Sequence, residues 1–420
     1  MKFNLLYNEE NIANGKNLFP DKSFFDFEGL VSTHLNEYGD DRVFDVQRFH
    51  IHNFNNEQKE NYFYCICPMD MCIDELCSHN LTIPSETIDI IKNNSNIYIL
   101  ICTEHEPIRK NDLDTLSNFC KQEGLENKVI CMSNNALSDD VEGIKCNYKI
   151  NFLDYSSNYI FRQLVIGGIR KNKDGKLFMC RNRGGKEHRI SLIYKLITKG
   201  YMEDVNYSFI PEYSWHDSNS LEDLQDAYSL VLKKDEVEYN FAKIKKIYET
   251  RKVDDYEIDY NVIGDDNSFQ NSHIQSKGIF RVPEIPISFH SSYINIVTES
   301  FYKGNENVIH VTEKTFRPFI YYQIPIIVAT PNHIKYLRDV YGFDMFDDLV
   351  NHSYDSELDD RKRIKMIIDE IGRLRDKKEK VKSFYKNNID RFKNNRNIFF
   401  EVSKNLKEKD IQFFKKIIND

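Results

Sequence analysis

The chain has 420 residues, 40% hydrophobic and 13% aromatic, which is enough apolar mass for two or three folded domains and too much for a disordered chain. A formal net charge of −9 argues against a protein built around nucleic acid, and no apolar run reaches the length of a membrane span. The opening MKFNLLYNEE lacks the basic-then-apolar layout of a signal peptide, so the expectation is a soluble, cytoplasmic protein.

In chain order, strand-like runs fall at 3–7, 62–67, 97–102, 129–132 and 148–152, with helical patterns at 85–93 and 111–122 between them. Ser85 and Asn111 are placed as helix N-caps and Gly124 as a stop. Alternation of this kind predicts crossover units and a parallel sheet covered on both faces. A helical stretch at 154–165 leads to Gly167-Gly168 and the polar turn KNKDG at 171–175, where the first domain is expected to end.

The second block begins with a strand at 176–180 and a helix at 190–199, stopped by Gly200. A strand at 207–210, helical character from 221 to 248 and a polar stretch at 251–277, read as a long loop or insertion of no assigned role, follow it. Strands at 294–297 and 324–329 and a helix at 333–340 complete the block, and from 358 onward the chain reads as helix to the end. The expected fold class is therefore α/β: two Rossmann-like domains, 1–168 and 169–357, with a helical C-terminal extension at 358–420.

All nine cysteines lie between Cys65 and Cys180. Cys65, Cys67, Cys72 and Cys77 are clustered but lack paired C-x2-C spacing, so reduced, mostly core thiols are expected and no metal site. Charge is uneven. Residues 361–400 carry 14 Lys and Arg against 5 Asp and Glu, a net of +9 that leaves −18 for the remainder. Such helices suit phosphates or an anionic membrane surface, and equally a solvated face laced with ion pairs.

Two stretches point to chemistry. Between a strand ending at Cys180 and a helix near Ile190 stand Arg181, Arg183, Lys186, His188 and Arg189, with Gly184-Gly185 among them. A strand–loop–helix turn aims backbone N–H groups and the positive helix end at one spot, and guanidinium forks there suit a diphosphate. The order G-x4-G-K-[ST] is absent, so this is not a Walker loop. The second stretch is VTEKTFRPFIYYQIPIIVAT at 311–330, preceded by Thr298-Glu299-Ser300. Thr312 or Thr315 is the expected cap of a short helix, with Pro318 confined to its first turns. Glu313 and Lys314 then sit at the carboxyl edge of a parallel sheet, where a carboxylate accepts from ribose hydroxyls and an ammonium neutralises phosphate.

The run Thr312-Glu313-Lys314, a short helix and Ile324-Pro325-Ile326-Ile327-Val328 resembles the V-T-E-K…(A-G)-x-V-P-V-V signature of nucleotide-sugar-dependent fucosyltransferases and related GT-B glycosyltransferases. Residues 294–297, Glu299 and Asn307 occupy the place of that family's F-E-N-S segment, and the resemblance covers 176–341. It implies two Rossmann-like domains facing a cleft, acceptor side first and donor side second. Glu313 is implied on the donor ribose, Lys314 with Arg181 or Arg183 on the diphosphate, and Lys186, Arg189, Glu299, Thr312 and Arg317 beside them. Residues 343–347 and 352–355 are implied to close the donor domain.

Two departures stand out. Tyr321-Tyr322-Gln323 replaces the family's Ala-Gly, and the acceptor-side Glu-Ser-Pro motif is absent. Its nearest counterpart is Thr103-Glu104-His105-Glu106-Pro107, which makes Glu104 or Glu106 the candidate base, with His105 a further candidate. Asp112-Leu113-Asp114 has D-x-D spacing but stands at a helix start, and is read as a cap. The implied activity is metal-independent transfer from a nucleoside-diphosphate sugar, a co-substrate with no further cofactor, to a glycan or other hydroxyl. The alternatives are a phage-type transferase acting on modified DNA bases and a non-catalytic nucleotide- or glycan-binding protein.

Overall fold

The computed structural model describes residues 2–7, 45–54, 59–66, 73–79, 81, 83–102, 107–148, 175–182, 185–209, 217, 219–249, 289, 291–304 and 307–419. Its contacts divide the chain into two compact units. The first comprises Met1–Asp154, Glu306–Val311 and Val402–Asp420; the second comprises Tyr155–Asn305 and Thr312–Glu401.

The first unit is built on β1 (Lys2–Tyr7), β2 (Asp45–His50), β3 (Tyr62–Ile66), β4 (Ile97–Cys102), β5 (Val129–Ser133) and β6 (Ile144–Tyr148). They form one wholly parallel sheet in the order β2-β1-β3-β4-β5-β6. The central sequences YFYCI, IYILIC and VICMS are near-continuous apolar runs, as strands buried on both faces require. On one face Leu6, Tyr64, Ile99, Ile101 and Cys131 pack with helices α1 (Ile73–Ser78), α2 (Ser85–Asn93) and α3 (Lys110–Glu123). On the other, Phe3, Leu5, Phe63, Leu100, Ile130 and Met132 are covered by Phe414 and Ile417 of the last helix.

Several boundaries differ from expectation. β2 was not anticipated: DVQRFH is polar and pairs only with β1, and an edge strand needs no apolar run. The last strand of this sheet is Ile144–Tyr148, which pairs with β5; of the expected strand at 148–152, residues 149–152 lie outside the described residues. Pro84, not Ser85, is the N-cap of α2. In α3 the cap is Arg109, whose backbone N–H donates to Asp112 Oδ2 at 2.7 Å, so Asp112 serves the helix start from its third position. Gly124 stops α3 in the left-handed region, φ 66°.

Among the described cysteines, Cys120, Cys131 and Cys180 are buried and Cys65, Cys77 and Cys146 half-buried, all as free thiols. Cys67 and Cys72 lie outside the described residues. No cluster of metal-ligating side chains occurs among the described residues, and none of their helices is long and apolar enough to cross a membrane.

The second unit holds β7 (Phe178–Asn182), β8 (Val205–Phe209), β9 (Ile294–Thr298) and β10 (Ile324–Val328), parallel throughout, in the order β10-β9-β7-β8. Pro325 is tolerated because β10 is an edge strand, where a missing N–H costs no ladder bond. Helix α4 (Glu187–Thr198) begins three residues earlier than expected. The helical region after 221 is not continuous but breaks into α5 (Leu221–Ala227), α6 (Lys234–Tyr239) and α7 (Phe241–Tyr248). Then come α8 (Glu313–Ile320), α9 (His333–Tyr341), α10 (Asp360–Asp376), α11 (Lys378–Asn387) and α12 (Ile389–Asn419), the last of which belongs to the first unit from Val402 on. Pro318 sits at the sixth position of α8, deeper than its first turn, and leaves that helix one bond short.

Within 361–400 many cations meet acidic partners. Arg363 pairs with Asp360, Arg373 with Glu370, Arg375 and Lys378 with Asp204, and Arg391 with Asp344 and Asp348.

Candidate functional site

The strand order of the second sheet fixes where a ligand is expected. From β7 the chain moves outward to β8, then crosses back to place β9 on the other flank of β7, and continues to β10. The strand order therefore reverses between the parallel neighbours β7 and β9, and open parallel sheets bind ligands outside the carboxyl ends at such a reversal. Arg181 and Asn182 end β7 there, and Thr298 ends β9. Thr298 Oγ1 donates to Asn182 Oδ1, so the two strand ends are tied together.

The turn after β9 is gripped from α4. Lys186, the N-cap residue of α4, donates from Nζ to the Ser300 carbonyl at 2.9 Å. His188 Nε2 lies 2.9 Å from the Glu299 carbonyl, which can only accept, so the proton sits on Nε2. Arg189 Nη2 donates to the carbonyls of Thr298 at 3.3 Å and Glu299 at 3.1 Å. Burial, reinforced by the charge of Arg189 and opposed by the Glu299 bond, holds the His188 pKa well below its ordinary value; Lys186 and Arg363 push the same way. His188 is therefore neutral. Its ring stacks on Tyr302 at 5.1 Å, and the Arg363 guanidinium covers Tyr302 from the other element at 4.2 Å.

Thr312 is the N-cap of α8: its Oγ1 accepts from Lys314 N at 3.3 Å. Glu299 is wholly buried and receives Thr312 Oγ1 at 2.6 Å and Thr312 N at 3.3 Å, together with Thr315 Oγ1 and Ser300 N. Lys314 Nζ reaches Thr312 Oγ1 at 3.2 Å and Ser300 Oγ at 3.5 Å. Two ammonium groups from two different connections, Lys186 and Lys314, thus converge on Ser300 beside the reversal.

Among the described residues, helix starts that follow strands of this sheet are filled from within at α5, α8 and α9, Ser220 Oγ accepting from Asp223 N at α5. Thr312 caps α8, while both Asp355 carboxylate oxygens cap α9, accepting from the N–H groups of Ile334 and Lys335 at 2.9 Å each. The start of α4 has no side-chain cap. It is the helix start next to Gly185, Lys186 and the strand reversal.

Of the residues singled out from sequence, Lys186, Arg189, Glu299, Thr312 and Lys314 come together here. Arg189 meets the carbonyls of Thr298 and Glu299, and Glu299 the hydroxyls of Thr312 and Thr315, partners that the short-range sequence signal did not reveal. Arg181 and Arg317 are placed by their aromatic neighbours: the Arg181 guanidinium lies 5.5 Å above the Phe289 ring, and Phe289 meets Tyr321 at 4.7 Å. Burial pushes the Tyr321 phenol up to about 12, against the charges of Arg317, Arg181 and Arg396. Glu313 is the first residue of α8. Glu104, His105, Glu106 and Arg183 lie outside the described residues. The sequence does not mark Tyr302, His333 or Arg363; Thr315 is one of the two expected caps of α8, and Ser300 and Asp355 stand in the stretches 298–300 and 352–355 that it does mark.

No family model, curated protein or solved structure matches this chain.

Proposed function

We propose that the chain is a GT-B-like glycosyltransferase that uses a nucleoside-diphosphate sugar without a metal, its two α/β units facing a cleft. The observation that carries this reading is the convergence of Lys186 and Lys314 on Ser300 at the strand reversal of the second sheet, next to the uncapped start of α4. A diphosphate there would gain two ammonium charges and the positive end of a helix. Glu313, at the start of α8, is the proposed ribose contact, with Arg181 and Arg317 extending the positive surface. Glu104 or Glu106 would take the proton of the acceptor hydroxyl while the cations stabilise the departing diphosphate.

Calorimetric titration with UDP, GDP, ADP, CDP and dTDP tests the reading, on the wild type and Lys314→Ala, with and without EDTA. Selective binding of one nucleotide, insensitive to EDTA, is expected. Loss of one charge-assisted contact should weaken it about ten- to a hundredfold in Lys314→Ala. Absence of binding by all five would overturn the reading.

A further inference from the structure

We propose that Glu299 is a positioning residue whose buried carboxylate fixes the polarity of the Thr312 hydroxyl and thereby holds the Lys314 ammonium in place for a phosphate group. The proposal rests on the reading of Lys314 as a phosphate contact and deepens it. Glu299 takes four donors: Thr315 Oγ1 and Thr312 N on Oε1, Thr312 Oγ1 and Ser300 N on Oε2. With every face of the carboxylate engaged and the residue wholly buried, it has no role as a base or as a sugar contact.

The consequence follows from counting protons. A threonine hydroxyl has one proton and two lone pairs. The Thr312 proton is committed to Glu299, so what the oxygen turns toward Lys314 is acceptor only, and it meets both Lys314 N at 3.3 Å and Nζ at 3.2 Å. Thr315 is committed in the same way, so its oxygen accepts from His333 Nε2 at 3.1 Å, which places the His333 proton on Nε2. The second anchor of the ammonium, Ser300 Oγ, belongs to a residue whose own N–H is bound to Glu299. These two contacts of Lys314 are therefore both set by one carboxylate.

Glutamine is nearly isosteric but cannot substitute. In one amide orientation its NH2 faces the N–H of Ser300, in the other the N–H of Thr312, and either leaves two donors opposed. Thr312→Val removes the hydroxyl while keeping the shape, and Thr312→Ser keeps the hydroxyl.

The experiment is a double-mutant cycle on nucleotide affinity by calorimetry. Thr312→Val and Glu299→Gln are each expected to weaken binding about tenfold, and Thr312→Ser to stay within about threefold. Thr312→Val/Lys314→Ala should bind no more weakly than Lys314→Ala alone, because Thr312 acts through Lys314. Losses that add in the double variant would overturn the proposal. A second arm needs no nucleotide: the rate at which an amine-acylating reagent modifies Lys314, followed by peptide mass spectrometry. The rate should rise several-fold in Thr312→Val and Glu299→Gln and stay at the wild-type value in Thr312→Ser. Equal rates in all four proteins would overturn the proposal. If the wild type binds no nucleotide while these rates differ as expected, the donor-site reading fails and the positioning of Lys314 by Glu299 stands.

Discussion

Arg363 is the side chain whose loss should be felt most widely in the second unit. It is 1% exposed, and its guanidinium donates to the carbonyls of Tyr302 and Glu357, pairs with Asp360 at 2.6 Å and lies 4.2 Å above the Tyr302 ring. Arg363→Met fills much of the same volume but leaves two carbonyls without their donor and Asp360 without its cation. Removing one partner of a buried ion pair costs about 3–5 kcal/mol, and lost charge-assisted bonds to buried carbonyls lie in the same range. Asp360 is 28% exposed and regains some water, so the lower end, about 3 kcal/mol, is expected. Because two units need not unfold together, the assay is native-state hydrogen exchange read by mass spectrometry, which separates them. Protection should fall in α10, in the turn after β9 and, through the Tyr302–His188 stack, at the start of α4, while β1 to β6 keep theirs. A loss below about 1 kcal/mol, or one spread evenly over both units, would show that the buried guanidinium is not what ties α10 to that turn.

Three further outcomes are expected. Gly304→Ala places a Cβ 2.2 Å from the Leu358 carbonyl oxygen and 2.9 Å from Arg363 Nη1, so it should destabilise the second unit by about 1–3 kcal/mol; unchanged exchange in α10 would contradict this. Phe414→Ala removes a buried ring that meets Phe3 edge-on at 5.5 Å, and should cost the first unit about 3–5 kcal/mol, seen as faster exchange in β1 and β3 but not in β7. His188, with its pKa depressed by burial, stays neutral in the folded chain while the unfolded chain takes up a proton below about pH 6.5. Stability from this group is therefore present above that pH and lost as pH falls toward the folded value, at up to about 1.4 kcal/mol per pH unit. His352, lowered by burial, contributes in the same direction. His188→Gln should flatten the acid limb between pH 7 and 5 by about one proton, and an unchanged slope would remove His188 as its source.

Local sequence determined what local physics governs. YFYCI, IYILIC and VICMS are strands because only a sheet covered on both faces buries runs of that length, and Gly124 stops α3 because its left-handed backbone favours glycine. Thr312 caps α8 through a bond to an N–H two residues away, a range that sequence pattern reaches. The tertiary structure decided the rest, because the partners are distant in the chain. Nothing within DVQRFH marks β2 as a strand; it becomes one by pairing with β1, about forty residues earlier. His188 and Arg189 stand in a basic loop that reads locally as suited to an anion; the carbonyls of Thr298 and Glu299 that they meet are 109 to 111 residues on, beyond the reach of any local pattern. The order β10-β9-β7-β8, which locates the candidate site, is a property of how strands pair and not of any one strand. Burial then turns those pairings into roles: a carboxylate enclosed by four donors, as Glu299 is, holds its neighbours in place, where the same residue at the surface would be read as a ligand contact.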